Sequence, residues 1–116
     1  MTFDIVALCR EHPDAAVALA AMRAAGPQLR VDTVEHASLI QLYHPDGRLL
    51  LTIEGPRLVQ VPGEAQRLLG ITGRVPHPVW WVESRAPGSD REAEAVARRF
   101  THAVVAATGG VSWSNR

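Results

Sequence analysis

The sequence predicts an α+β domain, a two-layer sandwich of two main helices on a mostly antiparallel sheet. Three observations carry this. The stretch Ala37–Val61 (ASLIQLYHPDGRLLLTIEGPRLVQV) holds short apolar runs separated by turn residues, the signature of an antiparallel meander. Two alanine-rich segments, Ala15–Ala25 and Ala93–Ala107, carry apolar residues at helical spacing. A run with adjacent tryptophans, Val79–Glu83, reads as a strand with one aromatic on each face.

The elements follow in chain order. Thr2–Leu8 is a short apolar run and reads as a buried strand. Pro13 suits the first helical position and Asp14 the positive end of the helix that follows, which stops at Gly26-Pro27. That helix is nearly free of charge, so its expected place is buried against the sheet; an exposed apolar face for a partner is the alternative. Leu29–Val34 begins a strand expected to run into the central meander, broken by a bulge near Glu35-His36. Tyr43-His44-Pro45-Asp46-Gly47-Arg48 is the clearest turn: proline presets φ, and glycine supplies the left-handed residue that closes a type I turn with a bulge.

Before this turn Ile40 and Leu42 share one face, and Leu39, Gln41 and Tyr43 the other. After it both faces are apolar, which places Leu49–Ile53 centrally, covered at least in part on both sides. A second turn is expected at Glu54-Gly55-Pro56-Arg57, followed by a third short strand, Leu58–Val61; a two-stranded hairpin with irregular chain after it is the alternative. Glu64–Gly70 is a short helix. Ser89-Asp90-Arg91-Glu92 has the form of a capping box for the last helix, with Ser89 as cap. Gly109-Gly110 ends that helix, and Val111–Trp113 adds a strand. The expected order is β-α-β-β-β-(short α)-β-α-(β). Its first half has the shape of a βαβ unit in a partly ferredoxin-like arrangement, which carries no function. Residues 1–113 form one domain and 114–116 a loose tail.

Composition narrows the function. With 116 residues the chain can hold one self-sufficient core. Net charge is zero, so no electrostatic footprint for nucleic acid or an anionic membrane is present. All twelve basic residues are arginine, which excludes Schiff-base lysine chemistry and a Walker-type lysine. Cys9, the single cysteine, lies in an apolar run and reads as an inert core thiol. No signal peptide or membrane span is visible, and the expected location is cytoplasmic.

No catalytic, nucleotide-binding or metal-binding motif is found, and no cofactor is expected. His12, His44 and His77 each precede proline; turn chemistry explains them better than a shared metal. Glu11-His12 and Glu35-His36 are sequence neighbours, which diverge on a strand and make poor catalytic pairs. What remains is an inventory of interface-anchoring side chains: Trp80, Trp81, Trp113, Tyr43, Arg48, Arg57 and Arg85. An exposed edge at Val111–Trp113 or Leu58–Val61 would offer a second route to association.

The segments PRLVQVPGEAQRLLG (56–70) and HPVWWVE (77–83), followed by an alanine-rich helix and Gly109-Gly110, resemble an uncharacterised family of high-GC Gram-positive bacteria. Its members are often found near type VII secretion genes. The resemblance extends over nearly the whole chain and implies a cytoplasmic accessory or partner-binding role; it offers no active site to carry over.

Two function classes follow. The first is a non-enzymatic interaction domain, accessory, chaperone-like or immunity-type, that binds another protein or a second copy of itself. The second is a small-molecule-binding domain or an enzyme with a non-motif site, its pocket bordered by Gly70–Pro78 and His44–Gly47, with His44, His77 or Glu83 as polar groups. A third arrangement makes this chain one domain of a larger protein.

Overall fold

The computed structural model of the chain describes residues 1–34 and 38–116. The elements are β1 (Thr2–Cys9), α1 (Ala15–Ala25), β2 (Arg30–Val34), β3 (Leu39–Tyr43), β4 (Leu49–Val59), α2 (Glu64–Leu69), β5 (Val79–Pro87), α3 (Arg91–Thr108) and β6 (Gly110–Ser114). The strands form one antiparallel sheet in the order β2-β3-β4-β5-β1-β6. The two long helices lie on one face of it, as expected of an α+β sandwich. β1 and β2, joined by α1, run in the same direction but are separated by three strands, so this βαβ crossover has a wide stride. The strand expected to run from Leu29 into the meander is two strands, β2 and β3, paired antiparallel; the bulge expected near Glu35-His36, and the Glu35-His36 pair itself, lie outside the described residues.

Alternation along the central strands builds the core. Phe3, Ile5, Ala7 and Cys9 of β1 and Val82 and Ala86 of β5 point to the helix face and are buried. α3 answers with Ala93, Val96, Ala97, Phe100 and Val104, an apolar stripe at three- and four-residue spacing. The small Ala7 and Ala86 let α3 lie close to the sheet. Burial pushes the Cys9 thiol pKa up, against a smaller lowering by Thr108, so the thiol is held neutral in the core.

α1 departs from expectation. It packs chiefly on α3 rather than on the sheet, burying Ala21, Met22 and Ala25 and leaving Leu19 47% exposed. Alanines at the contact permit the close helix pair. The Arg99 guanidinium donates two hydrogen bonds, at 3.0 and 2.8 Å, to the Ala25 carbonyl and so satisfies an orphan acceptor at the α1 C-terminus. Asp14 is the α1 N-cap, its carboxylate accepting from the Val17 N–H at 2.9 Å, so the helix begins after Pro13 and Asp14.

The β3–β4 turn forms as expected. The His44 N–H donates to the Arg48 carbonyl at 2.9 Å, and Gly47 takes a left-handed φ of 96°. Leu50 and Leu51 are both buried in the same core cluster, where the β3–β4 register shifts between Leu42 and Tyr43. Beyond them Thr52 is only half-buried and Glu54 is exposed, so the far face of β4 is not covered along its length.

Glu54-Gly55-Pro56-Arg57 is not a turn. β4 runs through it to Val59, with a register shift against β5 between Glu54 and Arg57. Gly55 and Pro56 bulge the strand instead of reversing it, and Leu58–Val61 is no separate strand.

The α3 N-terminus is also capped differently. Asp90, not Ser89, is the N-cap; its carboxylate accepts from the N–H groups of Glu92 and Ala93 at 3.0 and 3.1 Å. Glu92 does not reach back. It accepts from Arg48 at 2.7 Å, and Arg48 also pairs with Asp90. One guanidinium thereby ties the β3–β4 turn to the start of α3. The chain end is held rather than loose: Asn115 accepts from the Asp4 N–H at 3.0 Å and donates to the Thr2 carbonyl at 3.1 Å, and Arg116 pairs with Glu94 at 3.1 Å.

The cap fixes a pH dependence. The Ala93 N–H, followed by Arg48, holds the Asp90 pKa below its ordinary value. A depressed folded-state pKa gives stability that is full above the unfolded value of about 3.9 and is lost as pH falls through the folded value. Asp90→Ala is expected to cost about 1 kcal/mol at neutral pH in urea denaturation. Asp90→Asn keeps a cap, and its loss of stability below about pH 4 is expected to be shallower than that of the wild type.

Candidate functional site

Among the described residues no helix covers the side of the sheet away from α1 and α3 over β2–β4 and part of β5. Its residues are set by the strand registers. One row crosses five strands: Leu39 of β3 faces Glu54 of β4, Glu54 faces Glu83 of β5, Glu83 faces Val6 of β1, and Val6 faces Trp113 of β6. The row spans about 19 Å, four strand spacings of about 4.8 Å. A neighbouring row places Arg57 opposite Trp81, Trp81 opposite Leu8, and Leu8 opposite Val111.

A second, smaller cluster roofs part of this face. Val6, Leu8, Val79, Trp81 and Ala65 of α2 are buried together, flanked by Val59, Leu69, Ile71, Val75 and Trp113. α2 is too short to cover the rest. Among the described residues, two clefts on this face are walled by Arg57, Trp81 and Glu83. One, of about 370 Å³, adds Ser38, Leu39, Glu54 and Gly55. The other, of about 330 Å³, adds Asp4, Val6, Leu68, Leu69 and Trp113. Together they form a groove with Glu54 toward its β3 end and Leu68, Leu69 and Trp113 toward its β6 end. Leu68 is 53% exposed.

The charges in the groove are unequally committed. The Trp81 indole N–H donates to Glu83 at 3.2 Å, and Arg85 donates to Glu83 at 3.3 Å and to Asp4 at 3.1 Å. Arg57 lies 6.0 Å from the Trp81 ring centroid and forms no ion pair among the described residues. Glu54 has neither hydrogen bond nor ion pair from its side chain among the described residues, although it stands directly opposite Glu83. Like charges directly opposite each other weaken a strand pair.

The seven side chains singled out from sequence are divided by the fold. Trp81, Trp113, Arg57 and Arg85 surround the groove, and Tyr43 lies farther along the same face, under Arg30 at 5.3 Å. Trp80 points to the helix face, half-buried against the main core, its ring 4.4 Å from that of His12. Arg48 belongs to the α3 clamp. Trp81 is only 5% exposed, so its ring serves as floor, while Trp113 keeps a half-exposed flank. Glu54, Leu68 and Leu69 join the site unannounced by any motif. In the sequence Glu54 has the setting of a turn residue, and the leucines form one side of a short helix.

The pocket expected around His44, His77 and Glu83 is not assembled. His77 lines a separate cleft of about 250 Å³ with Val61, Gln66 and Val75. His44 sits at the β3–β4 turn, its Nδ1 accepting from the Asp46 N–H at 3.1 Å and its Nε2 3.7 Å from Glu92. Among the described residues no cluster of three or more His, Cys, Asp or Glu is placed to hold a metal ion, and no helix is long and apolar enough to cross a membrane. Compared with family models, with curated proteins and with solved structures, the chain gives no match in any of the three.

Gly55 shapes the groove. Its φ is +107°, and a Cβ there would stand 2.8 Å from the Trp81 carbonyl oxygen. Gly55→Ala is therefore expected to destabilise the fold by about 1–3 kcal/mol, read as a lower urea midpoint. An unchanged midpoint would show that the bulge does not require glycine.

Proposed function

We propose that this protein is a non-enzymatic interaction domain whose open sheet face receives an extended segment of another protein. The observation that carries the reading is Glu54, an uncompensated carboxylate set against Glu83 in a groove that ends on Trp113 and Leu68. A cation from a partner would relieve that repulsion, and an apolar neighbour of the cation would bury the tryptophan flank. At about 3.3 Å per residue, the groove's length of about 19 Å accommodates about six extended residues. The expected partner segment is thus short, basic and flanked by a large apolar side chain. Aromatic and arginine anchors beside an apolar patch are the usual energetic centre of such contacts. An accessory role in a secretion or toxin system rests on the family resemblance alone.

A second reading, a small-molecule site, is favoured by the volume of the cleft beside Glu54, which falls in the lower part of the range of about 300–1,000 Å³ for ligand pockets. Glu54, Glu83 and Arg57 would then fix a small polar ligand. A thermal-shift screen of metabolites separates the two, because a ligand specific for the folded state raises Tm.

The interaction reading makes a paired prediction. Glu54→Gln removes the carboxylate repulsion, so the free protein is expected to unfold at a slightly higher denaturant midpoint. The same variant, and Trp113→Ala, are expected to lose a stoichiometric partner in affinity capture from the cells that make the protein. Full capture by both variants would refute the assignment of the groove.

A further inference from the structure

We infer that β2 is a self-association edge and that its occupant is β2 of a second copy, paired antiparallel about a two-fold axis at Val31. Among the described residues β2 is hydrogen-bonded on one side only, to β3, and all five of its residues are exposed. Edges that remain alone are blunted by short length, charged side chains, proline or a bulge; β2 is five residues long, and its charges, Arg30 and Asp32, are of opposite sign. Arg30–Val34 contains no proline, and its register with β3 is regular through five pairs.

The charges of the strand select its partner. Arg30 and Asp32 are two residues apart and so share the open face. Neither has an ion pair among the described residues; Arg30 lies over the Tyr43 ring. When a strand pairs with its own copy, the residue on the axis faces itself, and the residues on either side face each other. An axis at Val31 therefore sets Arg30 opposite Asp32 of the second copy, twice by symmetry. An axis at Arg30 or at Asp32 stacks like charges, and one at Thr33 sets Asp32 against Val34. Only the Val31 register satisfies both charges.

The same register is favourable on the helix face. Val31, 47% exposed, meets its counterpart there. Beside it, Leu19, Met22, Leu29 and Leu42 line a shallow groove of about 180 Å³ that the pairing would close over. The arrangement is isologous, so it stops at a dimer and leaves neither β2 edge free. The opposite edge, β6, is Gly-Val-Ser-Trp-Ser and has no charge with which to choose a register. Trp113 stays outside the β2 pairing, so the dimer is independent of the groove proposed above.

The interface is small, and the dimer is accordingly concentration-dependent. Sedimentation velocity on the full chain, at concentrations up to about 1 mM, reads it directly. The wild type is expected to dimerise, Arg30→Asp and Asp32→Arg each to be monomeric, and the double reversal to dimerise again. A readout that leaves the charges in place is cross-linking. Val31→Cys is expected to form an interchain disulfide under mild oxidation and Asp32→Cys to lag behind it, with Cys9 buried and inert. A wild type that stays monomeric throughout, a dimer that survives both single reversals, or faster cross-linking at position 32 would overturn the proposal.

Discussion

The structure depends on the alternation of β5 between two antiparallel neighbours. A strand in the middle of a sheet must send successive side chains to opposite faces. In β5 that sends Trp80, Val82, Ser84 and Ala86 toward the helices, and Val79, Trp81, Glu83 and Arg85 away from them. The first set is mostly apolar and, past Trp80, small enough for α3 to approach. The second mixes an aromatic floor with charge, and no long helix lies over it. A slip of one residue would exchange the sets, burying Glu83 and Arg85 under α3 at a cost of several kcal/mol per ion. The fold and the site are thus consequences of the same register.

Around this strand, local contacts hold the two layers at a fixed distance. Arg48 joins the β3–β4 turn to the α3 N-cap, and Arg99 joins α3 to the end of α1. Asn115 pins the chain end to β1. Each satisfies backbone or carboxylate groups that would otherwise be left at an element terminus. None lies in the groove. In the groove, Glu54 and Arg57 stand on either side of the Gly55 bulge without ion pairs among the described residues. Unpaired charge beside tryptophan is the feature on which the proposed binding face rests.

Much of this was legible in the sequence, for local reasons. Adjacent tryptophans imply two faces wherever they stand on a strand, and His-Pro-Asp-Gly specifies its turn through φ preferences alone. The helices and the positions of β1, β3 and β5 follow from such signals. What escaped needed tertiary information. Glu54-Gly55-Pro56-Arg57 carries turn residues, yet pairing with β5 keeps the strand going and turns the same residues into a bulge. Ser89-x-x-Glu92 has the spacing of a capping box, but Arg48, forty-four residues before Glu92, captures the glutamate, and Asp90 takes the cap. The row from Leu39 to Trp113 exists only when four registers are known together. So the inventory of aromatics and arginines was readable, and its division between groove, core and clamp was not.

If the open face, rather than the helix face, is the contact surface in the cell, a partner must shield it there. Hydroxyl-radical footprinting tests this directly and works even with an unidentified partner. The chain is labelled in lysate of the cells that make it and, separately, as purified protein. The expected result is that Trp113 and Leu68 are oxidised less in lysate, while Leu19 on α1 is shielded equally or through dimerisation alone. Equal labelling of Trp113 and Leu68 in the two samples would contradict the assignment of the open face.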